Sequence, residues 1–249
     1  ASMCIRDSGT IEVRHCWTEM GQGIHTVARQ VAVEELGVEP DRIKVVVDTT
    51  RELGAGQTTG SRGTVMGAGS VADACRNAMA GGCEEGVEYE GVYVVDWTNS
   101  INDGLENPVI HSTFGYAAQL VELDSETGEI AKVVAAHDVG RAVNPLLCEG
   151  QIEGAVHMGL GYALTEGFPC DEHGKPLNET LRSLDIIRPK DMPPTEVILV
   201  ESPDPNSPYG IKGVGEIGLV PTAGAVAAAL HAHDAVSYTH LRAHETPMY

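Results

Sequence analysis

Apolar residues recur along this chain at two spacings, and those spacings divide it into strands and helices. Residues 11–17 alternate loosely and predict a strand. Val27, Val31, Val33 and Leu36 fit one face of an amphipathic helix over residues 25–36, which Gly37 and Pro40 end. Residues 43–48, IKVVVD, are a β-branched run expected to be a strand. A glycine-rich turn then leads into a helix over about residues 64–80. Its Gly67, Ala68, Gly69 and Ala72 predict close packing against a neighbouring element. Residues 81–109 carry the weakest pattern, with a strand-like stretch at 87–97 and a polar turn at Asn102-Asp103-Gly104.

Residues 114–123 and 129–138 alternate on either side of a D-x-x-T-G turn at 124–128, the pattern of a hairpin. Asn144 followed by Pro145 marks the start of a helix to about Ala163, with Ile152, Val156, Gly159 and Ala163 on one face. Residues 168–191 form a loop-rich excursion and residues 197–200 a buried strand. Pro221 and Thr222 open a last, alanine-rich helix to about His231. Helices and strands alternate irregularly around an antiparallel hairpin, so the expected class is α+β and not a doubly wound sheet.

One carboxylate interrupts this pattern. Residues 209–221 read YGIKGVGEIGLVP, with Glu216 and Lys212 as the charges in a run of glycines and apolar side chains. Such surroundings predict burial, which disfavours the ionised carboxylate and suits it to act as a general base. The plainer alternative is a Glu that caps a turn or pairs with Lys212.

A net charge of −20 argues against nucleic acid or an anionic membrane as partner, and the apolar runs are too short for a membrane span. Six cysteines without a C-x-x-C pair, and histidines without ligand spacing, give no protein-bound metal. Free thiols of a cytoplasmic enzyme are expected. The ends look foreign. Residues 3–8 read MCIRDS, and one possible coding of them has a reverse complement that reads VSYTH, as found at 236–240. An inverted adapter explains both, and the word resembles the end sequence of transposase-based sequencing adapters. Residues 1–8 and 236–249 are therefore expected to be non-native ends around a genuine segment at 9–235.

Two glycine turns precede helices. In EMGQGIHT (19–26), Gly21, Gln22 and Gly23 offer backbone N–H groups and an amide at a helix start, where anions are favoured. In GAGQTTGSRG (54–63), glycine amides stand beside Thr58, Thr59, Ser61 and the cation Arg62. Neither a Walker A loop nor a dinucleotide fingerprint is present. Gln151 lies between Gly150 and Gly154 in a helix, where glycines cost about 1 kcal/mol each and signal close approach. By the residues alone, a cofactor-free module binding phosphate or nucleotide stays open.

In order, EMGQGIHT, TTGSRGT, the DVGRAVNP…GQIEGAVHMGLGYALTE block and GIKGVGE resemble the molybdenum hydroxylases, that is, xanthine dehydrogenases, aldehyde oxidases and relatives. The likeness is to the C-terminal half of the molybdopterin-binding subunit, and within the family to bacterial xanthine dehydrogenase or purine hydroxylase types. It implies an incomplete molybdopterin-binding domain that hydroxylates an electron-poor carbon of a purine or related N-heterocycle with water-derived oxygen. An aldehyde oxidoreductase of the same family is the alternative. By this resemblance Gly21, Gln22 and Gly23 hold the pterin, Thr59, Gly60 and Ser61 lie against the metal and its dithiolene, and Gln151 bonds the pterin. Glu216 matches the catalytic base. Molybdenum–molybdopterin, in its simple or cytosine dinucleotide form, is the implied cofactor, with no protein ligand to the metal. Iron–sulfur clusters and FAD are expected on partner domains or subunits of an oligomer. The upstream half is missing, so the fragment alone is expected to be inactive.

Overall fold

The structure, a computed structural model, describes residues 1–48, 50, 57–178 and 180–235. Two compact units divide the chain. The first comprises Ala1–Gly115, Val139–Leu147 and Glu201–Gly213, and the second Tyr116–Asp138, Cys148–Val200 and the chain from Val214 onward.

In the first unit, strands β1 (Ser2–Ile5), β2 (Ile11–Arg14), β3 (Ile43–Val46) and β4 (Glu88–Glu90) form one sheet in the order β3-β2-β1-β4. The central strand β1 is antiparallel to β2 and β4, while β2 and β3 run parallel. Helices α1 (Ile24–Leu36) and α2 (Gly63–Ala80) pack on this sheet and on each other. Helix α1 buries Ile24, Val27, Ala28, Val31 and Ala32, the spacing of one helical face. It ends where expected, at Gly37 in the left-handed region.

The small residues of α2 do what their sizes predict. A Cβ at Gly67 would stand 3.2 Å from both the Trp17 ring and Ile24. The approach is reciprocal at Gly91, where a Cβ would come within 2.2 Å of the Ser70 carbonyl and the Ala74 nitrogen of α2.

Residues 1–8, set aside from fold reasoning on coding grounds, take part in the fold: Met3 is fully buried and β1 pairs on both edges. A strand's ladder uses backbone groups, so a segment of any origin with a suitable side-chain pattern can supply it. The tail at 236–249 lies outside the described residues. The strand expected at 87–97 needs correction, for it shrinks to β4. Gly91 still exchanges backbone bonds with Ala1, but the Val92 N–H goes to Asp73 Oδ2 (2.8 Å) and the carbonyl of Glu90, the last residue of β4, accepts from Asn77 Nδ2 (2.8 Å), so side chains of α2 take over from the ladder.

In the second unit, β5 (Ala117–Leu123) and β6 (Ile130–Asp138) make the expected hairpin. Asp124 Oδ1 closes its turn by accepting from the Glu126 and Thr127 N–H groups at 2.9 and 2.8 Å. Strand β7 (Thr195–Val200) adds in parallel to β6, giving the order β5-β6-β7. It is longer than expected and less buried, because its side chains alternate and Glu196, Ile198 and Val200 share an exposed face, the last two each 44% exposed. Helix α3 (Pro145–Leu164) starts in the first unit, where Asn144 Oδ1 caps it by accepting the Leu147 N–H (3.1 Å), and runs on in the second. Helix α4 (Thr222–Asp234) packs on β5. The two mixed sheets with their helices are the α+β class.

Candidate functional site

The glycine turn before α1 is built around an acid to which the sequence pattern assigns no role. Glu19 Oε1 accepts the N–H groups of Gly21 (2.8 Å) and Gly23 (2.9 Å), and Oε2 accepts that of His25 (3.3 Å). Partial burial pushes the Glu19 carboxyl upward. The N–H groups of Gly23, Gly21 and His25 outweigh it and hold the pKa below the ordinary value. The anion at this helix start is thus internal, which corrects the expectation that these amides wait for an external one. The signal was an acidic residue just ahead of a helix start, usable as a cap from further upstream than the usual position.

Gln22 also faces inward on its loop. Its Oε1 accepts the Met20 N–H and its Nε2 donates to the Thr18 carbonyl, both at 2.6 Å. Beside it, His15 is buried with Nδ1 accepting the Trp17 N–H (3.2 Å) and Nε2 2.9 Å from His25 Nδ1. The first bond leaves the proton on Nε2, so His15 donates to His25. Burial, then the proximity of His25, pushes the His15 pKa down to about 4.

The second glycine turn lies against the first. The Thr18 N–H donates to Thr58 Oγ1 at 2.9 Å, joining the two loops. Residues 54–56 of this turn lie outside the described residues. Gly60 and Ser61 are both left-handed, with φ of 60° and 54°, a conformation costly for serine. Arg62 is not offered to an anion as expected. Its Nε and Nη2 donate to the Gln57 carbonyl at 2.9 and 2.7 Å, and its guanidinium sits 5.9 Å from the Trp17 ring centre. With Glu19 on one set of amides and Arg62 closing the other loop, a general phosphate cradle finds little support.

The same unit carries the start of the 209–221 stretch. The Lys212 N–H donates to the Val139 carbonyl (3.2 Å), and the Gly210 carbonyl accepts from Arg141 (2.9 Å), so residues 139–141 and 210–212 lie antiparallel. Gly213 then meets the second glycine turn: a Cβ there would be 2.7 Å from the Ser61 carbonyl oxygen. The structure therefore brings Gly21, Gln22, Gly23, Thr59, Gly60 and Ser61 into one unit, with Ser61 packed on the glycine three residues ahead of Glu216.

Glu216, in the second unit, is exposed and not buried as its sequence context predicted; the buried members of that run are Ile211 and Lys212 in the first unit and Gly218 in the second. Glycines let the backbone pack while the carboxylate points outward. Gln151 is half-buried on α3, and its amide makes no hydrogen bond among the described residues. A cavity of about 610 Å³ in the first unit, beside Gln30, Arg141 and Asn144, is lined by none of the eight predicted site residues.

Gly21, Gly60 and the Gln151 amide leave room for a bound pterin. Among the described residues no group of His, Cys, Asp or Glu has metal-binding geometry. Among the described residues nothing lies within 4 Å of a Cβ built at Gly21 or Gly60, where bulky side chains would stand in a ligand's way, and the Gln151 amide has no hydrogen-bond partner.

A family model described as "Molybdopterin cofactor-binding domain" matches residues 1–85 and 78–193. The chain is 28% identical to the 6-hydroxypseudooxynicotine dehydrogenase complex subunit gamma of Paenarthrobacter nicotinovorans, over 90% of this chain and 33% of that protein. It is 29% identical to a probable xanthine dehydrogenase subunit of Bacillus subtilis, over 92% of this chain and 36% of that one. The solved aldehyde oxidoreductase from Desulfovibrio gigas superposes with a TM-score of 0.84 at 25% identity, over 97% of this chain and 29% of that one. The chain thus spans about a third of the length of these relatives.

Proposed function

Since the chain belongs to the molybdopterin cofactor-binding domain family, we propose that it is the base-bearing part of a molybdenum hydroxylase acting on a purine or related N-heterocycle. The overall conversion balances as R–H plus water giving R–OH, two protons and two electrons. When bound, the molybdenum–pterin group, simple or as the cytosine dinucleotide, is the electron acceptor for that oxidation, and iron–sulfur and flavin partners carry the electrons onward. Everything else asked of this chain is binding, orientation and proton transfer.

The packing of Ser61 against Gly213 carries the reading, because it ties the small-residue loop to the chain that leads into Glu216. Gly21, Gln22 and Gly23, shaped by Glu19, present one wall to the pterin, and Thr59, Gly60 and Ser61 present another. Gln151 offers its free amide to the pterin edge. Glu216 takes the proton of the water-derived oxygen as that oxygen bonds to the electron-poor carbon.

An aldehyde substrate is the second reading, favoured by the fold likeness to an aldehyde oxidoreductase. In both readings the intact enzyme is cytoplasmic and oligomeric. None of the described helices is long and apolar enough to cross a membrane. The deciding experiment assays the intact protein with hypoxanthine and with benzaldehyde against a dye acceptor, alongside molybdenum and pterin analysis. Metal with turnover of hypoxanthine supports the first reading, and metal with turnover of benzaldehyde alone the second. Absence of both metal and pterin overturns the family chemistry for this protein.

A further inference from the structure

The second unit holds a buried polar cluster directly behind the turn that carries Glu216. Gln119, on β5, donates from Nε2 to the Gly218 carbonyl at 2.7 Å. Thr222, fully buried at the start of α4, donates from Oγ1 to the same carbonyl at 3.1 Å. Both lone pairs of that oxygen are therefore used. From the third side α3 closes in: a Cβ at Gly218 would be 2.6 Å from Ala155 Cβ and 3.3 Å from the Ile152 carbonyl oxygen. The turn between is short and regular, with the Leu219 N–H on the Glu216 carbonyl (3.2 Å) and the Thr222 N–H on the Leu219 carbonyl (3.1 Å).

His137, fully buried on β6, stands behind Gln119 with its Nε2 3.2 Å from Gln119 Nε2. The Gly218 oxygen needs an N–H, which assigns the orientation of the Gln119 amide. The second amide hydrogen then faces His137, whose Nε2 must be unprotonated to accept it. Burial depresses the His137 pKa, in keeping with that neutral form. The cluster is an expensive way to gain stability, for Gln119 Oε1 and His137 Nδ1 are buried without a hydrogen-bond partner among the described residues.

We infer that Gln119 and Thr222 are positioning residues for Glu216, and that His137 orients Gln119. They fix the backbone oxygen two residues beyond the carboxylate, so the base cannot shift along its turn without breaking both bonds. This inference rests on the reading of Glu216 as the base. It extends that reading to side chains that never meet substrate.

The test compares Gln119→Met, Thr222→Val, Thr222→Ser and Glu216→Gln in the intact enzyme. Each is assayed with hypoxanthine or benzaldehyde, whichever the wild type turns over, and each is measured for molybdenum content. Misplacing a catalytic group by about 1 Å can cost up to about 100-fold in rate. Gln119→Met is expected to lower kcat about 10–100-fold with KM within about 3-fold and molybdenum content unchanged. Thr222→Val should do the same, and Thr222→Ser, which keeps the hydroxyl, should restore the rate. Wild-type kcat in Gln119→Met and Thr222→Val beside an inactive Glu216→Gln overturns the positioning role and leaves the base intact. Near-normal turnover in Glu216→Gln removes the base and this inference with it. Activity lost only in proportion to molybdenum makes the cluster structural and overturns the proposal. Should Gln119→Met fail to fold, the Thr222 pair decides alone.

Discussion

Glu19 Oε1 accepts the Gly23 N–H at 2.9 Å, so the helix that starts at Ile24 is capped from four residues before Gly23. Removing that carboxylate leaves two glycine N–H groups and that of His25 without their acceptor. Glu19→Ala is expected to destabilise the intact protein by about 1–2 kcal/mol, the range of a lost helix cap. Because the folded pKa lies below the ordinary 4.5, this stability is present above pH 4.5 and lost as the pH falls through the folded value. Thermal melts between pH 3 and pH 6 check both statements, since the variant should lack that acid step.

His15 predicts a second, separate window. Its pKa is about 4 in the fold against an ordinary 6.5, so the unfolded chain binds the proton first as the pH drops. Stability is therefore full above pH 6.5 and declines toward pH 4, by roughly 3 kcal/mol if the whole shift is expressed. His25, the N-terminal amine and Glu19 are the titratable neighbours, so the comparison is best made in His15→Gln, which should flatten the slope between pH 6.5 and 4.

Gly91 tests the packing of α2 on the chain after β4. A methyl group there meets helix backbone at 2.2 Å and not the end of a flexible side chain. Gly91→Ala is expected to cost at least about 1–3 kcal/mol, the usual range for overpacking. Gly82→Ala, with open space but φ of 81°, should cost only the conformational penalty of about 1 kcal/mol. Equal losses in the two variants would contradict the observed packing.

Glu216→Gln keeps size and hydrogen bonding but cannot take the proton. In the intact, molybdenum-loaded enzyme it is expected to lower turnover by about 10²–10⁴-fold or more without changing the melting temperature. Turnover close to wild type at full metal content would end the catalytic role. A fall that follows metal loss would make the residue structural.

Residues that carry their own local instructions were legible in the amino-acid order alone. The face of α1, its stop at Gly37, the Asp124 turn between β5 and β6 and the Asn144 cap of α3 all follow from spacing and turn chemistry within a few residues. So do the small residues of α2, whose size alone announced close approach.

What the sequence could not determine was where each polar group would find its partner. Two glycine turns looked like cradles for an anion, but the first is filled by Glu19 and the second is closed by Arg62 on Gln57. Burial of Glu216 was inferred from apolar neighbours, yet the packed members are Ile211, Lys212 and Gly218, while the carboxylate faces out. Sequence spacing determines which residues share a face, because the backbone's periods are local. Tertiary structure alone decides which hydrogen-bond acceptor comes within 3 Å of a given donor, since Gln119 and Gly218, 99 residues apart, meet only once β5, α3 and α4 have packed.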